Sequence, residues 1–387
     1  MTVIPYSCQN ITDADVEAVC AALRSDFLTQ GPAVPAFEEA FARRHQVAHA
    51  VAVANATAAL HISCLALDVG PGSRVWTSPN SFLASANCAL YCGATIDFVD
   101  IDPRTRNMSV AALRTKLEQA RKDDSLPQVV IPVDFSGLPC DLREIRELAD
   151  EYGFAILQDS SHATGAEYDG KPVASAYADV TVFSFHAVKI LTTAEGGLAA
   201  TQNDTLAKRL RLLRSHGMTR DADMLERAPD GGWYYEQQLL GYNYRITDVQ
   251  AALGLAQLGR LEDMQVHRAA LADRYDELLA DLPLILPARL PNRRSAWHLY
   301  VIEIDETRTD RTRAEVFQKL REAGIGVNVH YIPIHTQPYY ARLGFKPGDF
   351  PAAEAYYKRA ISLPLFPAMT AEQQEHVVKV LRDALSQ

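Results

Sequence analysis

Residues 154–201 read FAILQDSSHATGAEYDGKPVASAYADVTVFSFHAVKILTTAEGGLAAT. Three short apolar runs stand out: Phe154–Leu157 leading into Gln158-Asp159, Val180–Phe185, and Gly197–Thr201. Runs this short, closed by polar residues or glycine, read as buried strands. Upstream, His49–Ala54 and residues 74–78, 95–99 and 128–133 read the same way. Helical periods fill the gaps, from Thr57 to about Asp68 and over 81–92, 109–122 and 141–152. Two more helices are expected before the first strand. One covers 12–25, with Thr12 and Asp15 spaced as a capping box; the other covers 35–45 and starts at Pro35. Gly70-Pro71-Gly72 marks a turn. Alternating strands and helices imply an α/β fold with a mainly parallel sheet covered on both faces. Ligands of such sheets sit beyond the carboxyl ends of the strands.

The pattern breaks at 218–243, which holds charges, Pro229, Gly231-Gly232 and Trp233-Tyr234-Tyr235. The aromatics favour an active-site or subunit-contact loop over a disordered segment. Helical composition resumes at Thr247 and runs to about Leu282, followed by a Pro-rich stretch at 283–291. Residues 297–304 and 325–332 read as strands, and 311–323, 351–361 and 370–386 as helices. Two units are expected: a large domain over 1–250 and a small C-terminal α+β domain over 251–387. No internal repeat or low-complexity tract is present.

The 387 residues are 48% hydrophobic and carry a formal charge of -10. That charge argues against a general role on nucleic acid or an anionic membrane, so an anionic ligand needs a local site. The cysteines Cys8, Cys20, Cys64, Cys88, Cys92 and Cys140 form no C-x-x-C pair, and reduced thiols are expected over a disulfide framework or zinc site. Residues 1–9 lack a basic start and an apolar run, as a signal peptide would need. No stretch is long and apolar enough to span a bilayer. The cytoplasm is the expected location.

The chemistry concentrates at Ser184-Phe185-His186-Ala187-Val188-Lys189, followed by Thr192-Thr193-Ala194-Glu195-Gly196-Gly197. A lysine flanked by apolar residues just past a buried strand differs from the usual solvated one. Desolvation lowers the pKa of its amine and makes it nucleophilic, fit for a Schiff base with an aldehyde cofactor. A structural lysine is the alternative. Asp159 ends its strand where a carboxylate can pair with a pyridinium nitrogen, as pyridoxal phosphate requires, or can merely cap the following turn. Asn55-Ala56-Thr57-Ala58-Ala59 joins a strand to a helix, a place for a phosphate on free N–H groups, with the Thr57 hydroxyl and Ser184 adding bonds. Asn55 or Thr57 as a simple N-cap is the commoner use. Phe82 suits stacking on a cofactor ring or a place in the core. Asn243-Tyr244-Arg245 is placed to reach a site across a subunit interface.

Taken in order, these stretches resemble the DegT/DnrJ/EryC1/StrS family, fold-type I aminotransferases that act on nucleotide-linked keto sugars. The resemblance covers nearly the whole chain. Its landmarks are Leu28-Thr29-Gln30-Gly31, Asn55-Ala56-Thr57-Ala58-Ala59-Leu60, Asp159-Ser160-Ser161-His162, Ser184 through Lys189, Glu195-Gly196-Gly197, Gly241-Tyr242-Asn243-Tyr244-Arg245 and His330-Tyr331-Ile332-Pro333. The tracts Ser160–Tyr168 and Phe183–Lys189, Ala194 where many relatives place Gly, and Ile4-Pro5-Tyr6-Ser7 are similar to one branch. That branch aminates C4 of a UDP-linked 2-acetamido-2,6-dideoxy-4-keto sugar in pseudaminic acid biosynthesis, with L-glutamate as donor.

The resemblance implies that Lys189 holds pyridoxal 5'-phosphate, Asp159 pairs with its ring nitrogen, His162 lies near its ring hydroxyl and Phe82 stacks on it. Ala56, Thr57 and Ser184 would hold the phosphate, joined by Asn243 of the partner subunit, which implies a homodimer with shared sites. Tyr6, Leu28, Thr29, His330 and Tyr331 would contact the sugar nucleotide. Relatives with His in place of the lysine dehydrate sugars; Lys189 points to transamination. A non-catalytic regulator fits poorly with the full set Asp159, Ser184, Lys189 and Asn243. His330 and His335 lack a usual metal-ligand spacing, and no metal is expected.

Overall fold

The computed structural model describes residues 3–386; Met1, Thr2 and Gln387 lie outside the described residues, and with them part of the segment 1–9 in which no signal peptide is expected. Seven strands form the main sheet: β1 (His49–Val53), β2 (Arg74–Thr77), β3 (Thr95–Phe98), β4 (Val129–Ile131), β5 (Ala155–Asp159), β6 (Val180–Ser184) and β7 (Gly197–Thr201). Their spatial order is β1-β7-β6-β5-β4-β2-β3. β4, β6 and β7 are buried along their whole length, as a sheet covered on both faces demands.

All neighbours pair in parallel except β7, which runs antiparallel to both β1 and β6. The reversal has a local cause. Between β6 and β7 the chain forms no crossover helix but a compact return that carries Lys189. A parallel partner needs such a crossover. Here Phe185 N–H instead donates to Gly196 O at 2.9 Å and closes the return on itself.

Helices α1 (Asp13–Leu23) and α2 (Ala33–His45) precede the sheet, and α3 (Ala56–Ala66), α4 (Ala84–Tyr91), α5 (Val110–Lys122), α6 (Leu142–Tyr152) and α7 (Asp204–Arg214) are threaded through it. Alternation along β5 assigns the faces. Leu157 packs with α3, α4 and α7, whereas Ile156 packs with α5 and α6. Phe183 of β6 and Phe185 just beyond it turn to Phe37 and Phe41 of α2. The capping box of α1 forms, with Thr12 N–H donating to Asp15 Oδ2 at 2.8 Å.

Beyond the sheet come α8 (Asp248–Leu258), α9 (Leu261–Leu279), β8 (Leu284–Ile285), β9 (Tyr300–Ile304), α10 (Arg313–Glu322), α11 (Pro351–Arg359), β10 (Ala360–Leu363) and α12 (Ala371–Ser386). A second core gathers Ala272, Tyr275 and Leu279 of α9 with Ile302, Leu320, Ile361, Leu363 and Leu381, and takes in Ile4 from the N-terminal segment. Met264, earlier on α9, packs in the core of α2 and β6. One helix therefore joins two cores.

Several expectations need correction. Residues 325–332 form no strand; among the described residues their β-bridges are the isolated ones Ile325–Ile4 and Asn328–Ser362. The strand expected at 297 begins at Tyr300, because Trp297 takes a left-handed turn with φ 50°. The helix expected over 351–361 ends at Arg359, and 360–363 become β10, which pairs with β9. Helix α4 starts at Ala84, so Phe82 precedes it. Helix α2 begins at Ala33 instead of Pro35, where Asp248 Oδ1 accepts from Ala33 N–H at 2.9 Å. Residues 218–243 include a small hairpin, Met218–Thr219 against Glu236–Gln237. All six cysteines are free. Among the described residues no helix is long and apolar enough to cross a membrane.

Candidate active site

Strand register builds the site. Val53 at the end of β1, Gly197 at the start of β7 and Ser184 at the end of β6 lie in one row, and Asp159 ends the next strand, β5. Above this row lies a cavity of about 950 Å³. Tyr6, Ala56, Thr57, Phe82, Asp159, His162, Ser184, Lys189, His330 and Tyr331 all line it. These ten expected residues come from six separate stretches of chain.

Lys189 sits in the return between β6 and β7, its N–H held by His186 O at 2.9 Å. Burial lowers the pKa of its amine to about 8, against the pull of the Asp159 charge, which favours the ammonium. Desolvation outweighs the attraction, as expected of a lysine drawn out of water. Ala194, in the same return, has φ 67°, a left-handed conformation that glycine adopts without strain.

Asp159 caps the following turn and also lines the cavity. Its Oδ1 accepts from Ser161 N–H at 3.1 Å and caps the turn. Its Oδ2 accepts from Ser85 Oγ at 2.6 Å, and Ser85 in turn lies 2.7 Å from Ser81 Oγ. Since Ser85 spends its proton on the carboxylate, Ser81 is the donor in the second bond. Each carboxylate oxygen keeps a lone pair for a ligand.

The start of α3 faces the same space. Asn55 is its N-cap, Oδ1 accepting from Ala58 N–H at 2.8 Å, which leaves Ala56 and Thr57 free to line the cavity. Strand β7 passes so close beneath that a Cβ at Gly197 would strike Ala56 N and Asn55 C. Ser184 Oγ accepts from His186 N–H at 3.5 Å. Phe82 is 60% exposed, which excludes the core for it.

The far wall is aromatic. His330 Nδ1 is 2.7 Å from Ser362 Oγ, and His162 Nε2 is 3.0 Å from the Tyr331 hydroxyl. Burial and the Lys189 charge depress the pKa of His162 and His298, and lower that of His330 to about 4. The three imidazoles are therefore neutral. Burial, Asp159 and Tyr6 push the Tyr331 phenol up.

Three expected residues do not line the cavity. Leu28 and Thr29 are exposed, and Thr29 bridges Thr247. Asn243 is exposed and bridges Ser215, while its neighbour Tyr244 reaches the cavity and bonds His61 Nδ1 at 3.1 Å. Sequence reasoning missed Ser85, His61 and His298. The four-residue spacing of Ser81 and Ser85 was the one available signal. His335 faces Glu354, not the cavity, and among the described residues no three metal-type ligands cluster.

Comparison with known proteins now decides the family. The DegT/DnrJ/EryC1/StrS aminotransferase family profile matches residues 9–382. The chain belongs to this family. Among similar relatives of this sugar aminotransferase is the spore coat polysaccharide biosynthesis protein SpsC of Bacillus subtilis, 40% identical over 98% of this chain and 96% of SpsC. Similar solved structures include Helicobacter pylori PseC, an aminotransferase involved in the biosynthesis of pseudoaminic acid, with TM-score 0.90, 30% identity and 99% coverage of both chains. A sugar aminotransferase from Streptococcus pneumoniae, Spr1654, matches in its PLP-form with TM-score 0.88, 31% identity and full coverage of both chains. The DegT/DnrJ/EryC1/StrS chain described here is thus a pyridoxal-phosphate-dependent aminotransferase with a sugar substrate and an amino donor.

Proposed function

We propose that this enzyme aminates C4 of a UDP-linked 2-acetamido-2,6-dideoxy-4-keto hexose, with L-glutamate as amino donor, in pseudaminic acid biosynthesis. The observation that carries the catalytic reading is the Lys189 amine, partly buried and held to a pKa of about 8, in one cavity with Asp159 and the start of α3. The choice of sugar rests on the tracts Ser160–Tyr168 and Phe183–Lys189 and on the likeness to PseC.

The chain's residues fit pyridoxal phosphate. Ala56 and Thr57 line the cavity at the start of α3, where a phosphate can meet the first N–H groups of the helix. Exposed Phe82 is free to stack, and Asp159 retains lone pairs for a ring N–H. When bound, the cofactor supplies an aldehyde for the amine and a ring that takes up an electron pair. Lys189 acts first as the nucleophile and then as the base and acid that moves the donor's Cα proton; a pKa near 8 suits both tasks. Asp159 holds the ring-nitrogen proton, its carboxylate fixed by Ser85 and Ser161. Ala56, Thr57 and Ser184 bind phosphate, His162 lies on the ring-hydroxyl side, and His330, Tyr331 and Tyr6 receive the sugar nucleotide. Donor and acceptor share one cavity and react in turn, giving ping-pong kinetics.

Asn243, Leu28 and Thr29 are exposed and off the chain's own cavity. We assign them to the site of a second copy, in a cytoplasmic homodimer. The working units are a cofactor-binding 1–250 and a smaller 251–387, joined through α9, whose two halves pack in different cores.

A second reading, amination of another nucleotide-linked 3- or 4-keto sugar, draws on SpsC, whose identity of 40% exceeds the 30% of PseC. A panel of UDP- and dTDP-linked keto sugars, read by product mass and the position of the new amine, separates the two. The first reading expects C4 amination of the UDP-linked 2-acetamido sugar at the highest kcat/KM. Preference for a dTDP-linked sugar, or an amine at C3, would overturn it.

A further inference from the structure

The turn Phe135–Gly137 lies behind the cavity wall and holds Ser136 at φ 63°, ψ -2°. A serine in this left-handed region costs on the order of 1 kcal/mol or more. The turn is braced against relaxing. Ser136 Oγ donates to Leu299 O at 2.6 Å, Leu299 N–H returns to Ser136 O at 3.2 Å, and Ala296 N–H donates to Gly137 O at 2.9 Å. Gly137, at φ 103°, has no room for a side chain: a Cβ would lie 2.9 Å from His162 O and from Trp297 N. Trp297 is itself left-handed, at φ 50°. Two strained turns from distant parts of the sequence thus lock together directly beside His162.

The strain has one readable product. Ser136 N–H donates to His162 Nδ1 at 3.3 Å. A ring nitrogen that accepts a hydrogen bond carries no proton. Burial and the Lys189 charge keep the ring neutral, so its single proton sits on Nε2. That nitrogen is 3.0 Å from the Tyr331 hydroxyl, and the phenol oxygen must therefore be the acceptor of this bond. Tyr331 keeps its own proton, because burial and Asp159 disfavour the phenolate. Among the described residues nothing else accepts that proton, and Tyr331 lines the cavity.

We infer that left-handed Ser136, acting through His162, makes the Tyr331 hydroxyl an obligatory donor to an acceptor oxygen, carbonyl or anionic, of the molecule bound in the cavity. Ser136 and His162 are positioning residues in this scheme, and Tyr331 is the group that touches ligand. The inference rests on the proposed reading of the cavity as the reaction site. Two sources present such an oxygen: the ring oxygen of the cofactor and the keto oxygen of the sugar.

Two measurements on the full chain test it. Nitrogen-15 NMR of histidine-labelled protein, with and without pyridoxal phosphate, reports the tautomer. His162 is expected as neutral Nε2–H at pH 7 in both samples. An Nδ1–H or doubly protonated ring would overturn the inference, whether or not the protein takes up cofactor. Tyr331→Phe keeps the ring and its packing and removes the donor, and losing one such bond is expected to cost roughly ten- to a hundredfold. If the partner is the cofactor oxygen, that loss falls on pyridoxal phosphate affinity and the bound cofactor's absorption shifts. If it is the keto oxygen, cofactor affinity and the glutamate half-reaction stay unchanged while the keto-sugar half-reaction slows. A Tyr331→Phe enzyme equal to wild type in all three would overturn the inference. Failure of wild-type protein to bind pyridoxal phosphate would instead contradict the proposed function and leave the tautomer result standing.

Discussion

Ser85 donates its hydroxyl to Asp159 Oδ2 at 2.6 Å, from one turn beyond Ser81 and across from strand β5 to helix α4. Both partners are buried, so water does not replace a missing donor. A hydrogen bond to a charged group is worth about 1.5–3 kcal/mol. Ser85→Ala is expected to weaken pyridoxal phosphate binding and lower kcat/KM by roughly ten- to a hundredfold, and Ser85→Thr to retain most of both. Cofactor titration of the two variants checks this; an alanine variant with wild-type affinity would remove Ser85 from the account.

The cradle makes a sharper demand on Gly197. A methyl group there runs into Ala56 N and Asn55 C, both main-chain atoms that cannot swing aside. Overpacking of this kind costs about 1–3 kcal/mol. Gly197→Ala is expected to lower the unfolding temperature by a few degrees and to weaken cofactor binding more than stability, because the start of α3 must move. Thermal unfolding and cofactor titration on the same preparation separate the two effects.

Lys189 should oppose folding of the cofactor-free protein. Its pKa is depressed from 10.5 to about 8, so between those values the unfolded chain binds more protons than the folded one. Stability then rises with pH through the window from about 8 to 10.5, and below 8 the buried ammonium carries its full cost. Lys189→Met removes that cost, which is on the order of 2–3 kcal/mol given the remaining access through the cavity. The variant is expected to unfold at higher temperature than cofactor-free wild type at pH 7, with the gap closing toward pH 10.5. A gap independent of pH would contradict the assignment of the shift.

Asp248 ties the Leu28–Gly31 loop to α8. Its Oδ2 accepts from Gly31 N–H at 2.8 Å and its Oδ1 from Ala33 N–H at 2.9 Å. Asp248→Ala strands both donors and is expected to cost about 2 kcal/mol. If Leu28 and Thr29 meet the sugar nucleotide in a dimer, KM for the keto sugar should rise while the glutamate half-reaction is kept. An unchanged KM would take these residues out of the substrate site.

Sequence made the large sheet legible because most of its strands are buried on both faces and appear as short, mainly apolar runs. Lys189 and Asp159 stood out for the same reason, as polar side chains at the ends of such runs. Other features depend on distant partners. Strand β10 hides at the end of a helical pattern because Ala360–Leu363 is a strand only by pairing with β9. The segment 325–332 has strand composition, yet it lies between Ile4 and Ser362 and pairs with each at one point. His298 reaches the cavity through the turn at Trp297, and Ser136 acquires its role from the 296–299 brace. No local pattern encodes either.

The most direct test of the account is the visible absorption of the purified protein with pyridoxal phosphate, before and after L-glutamate, with Lys189→Ala alongside. Wild type is expected to develop the band of lysine-bound cofactor and to lose it to the amine form when glutamate is added, while the alanine variant shows neither change and does not turn over. A wild-type protein without that band, or an alanine variant that keeps substantial turnover, would contradict the assignment of Lys189 as the residue that holds the cofactor.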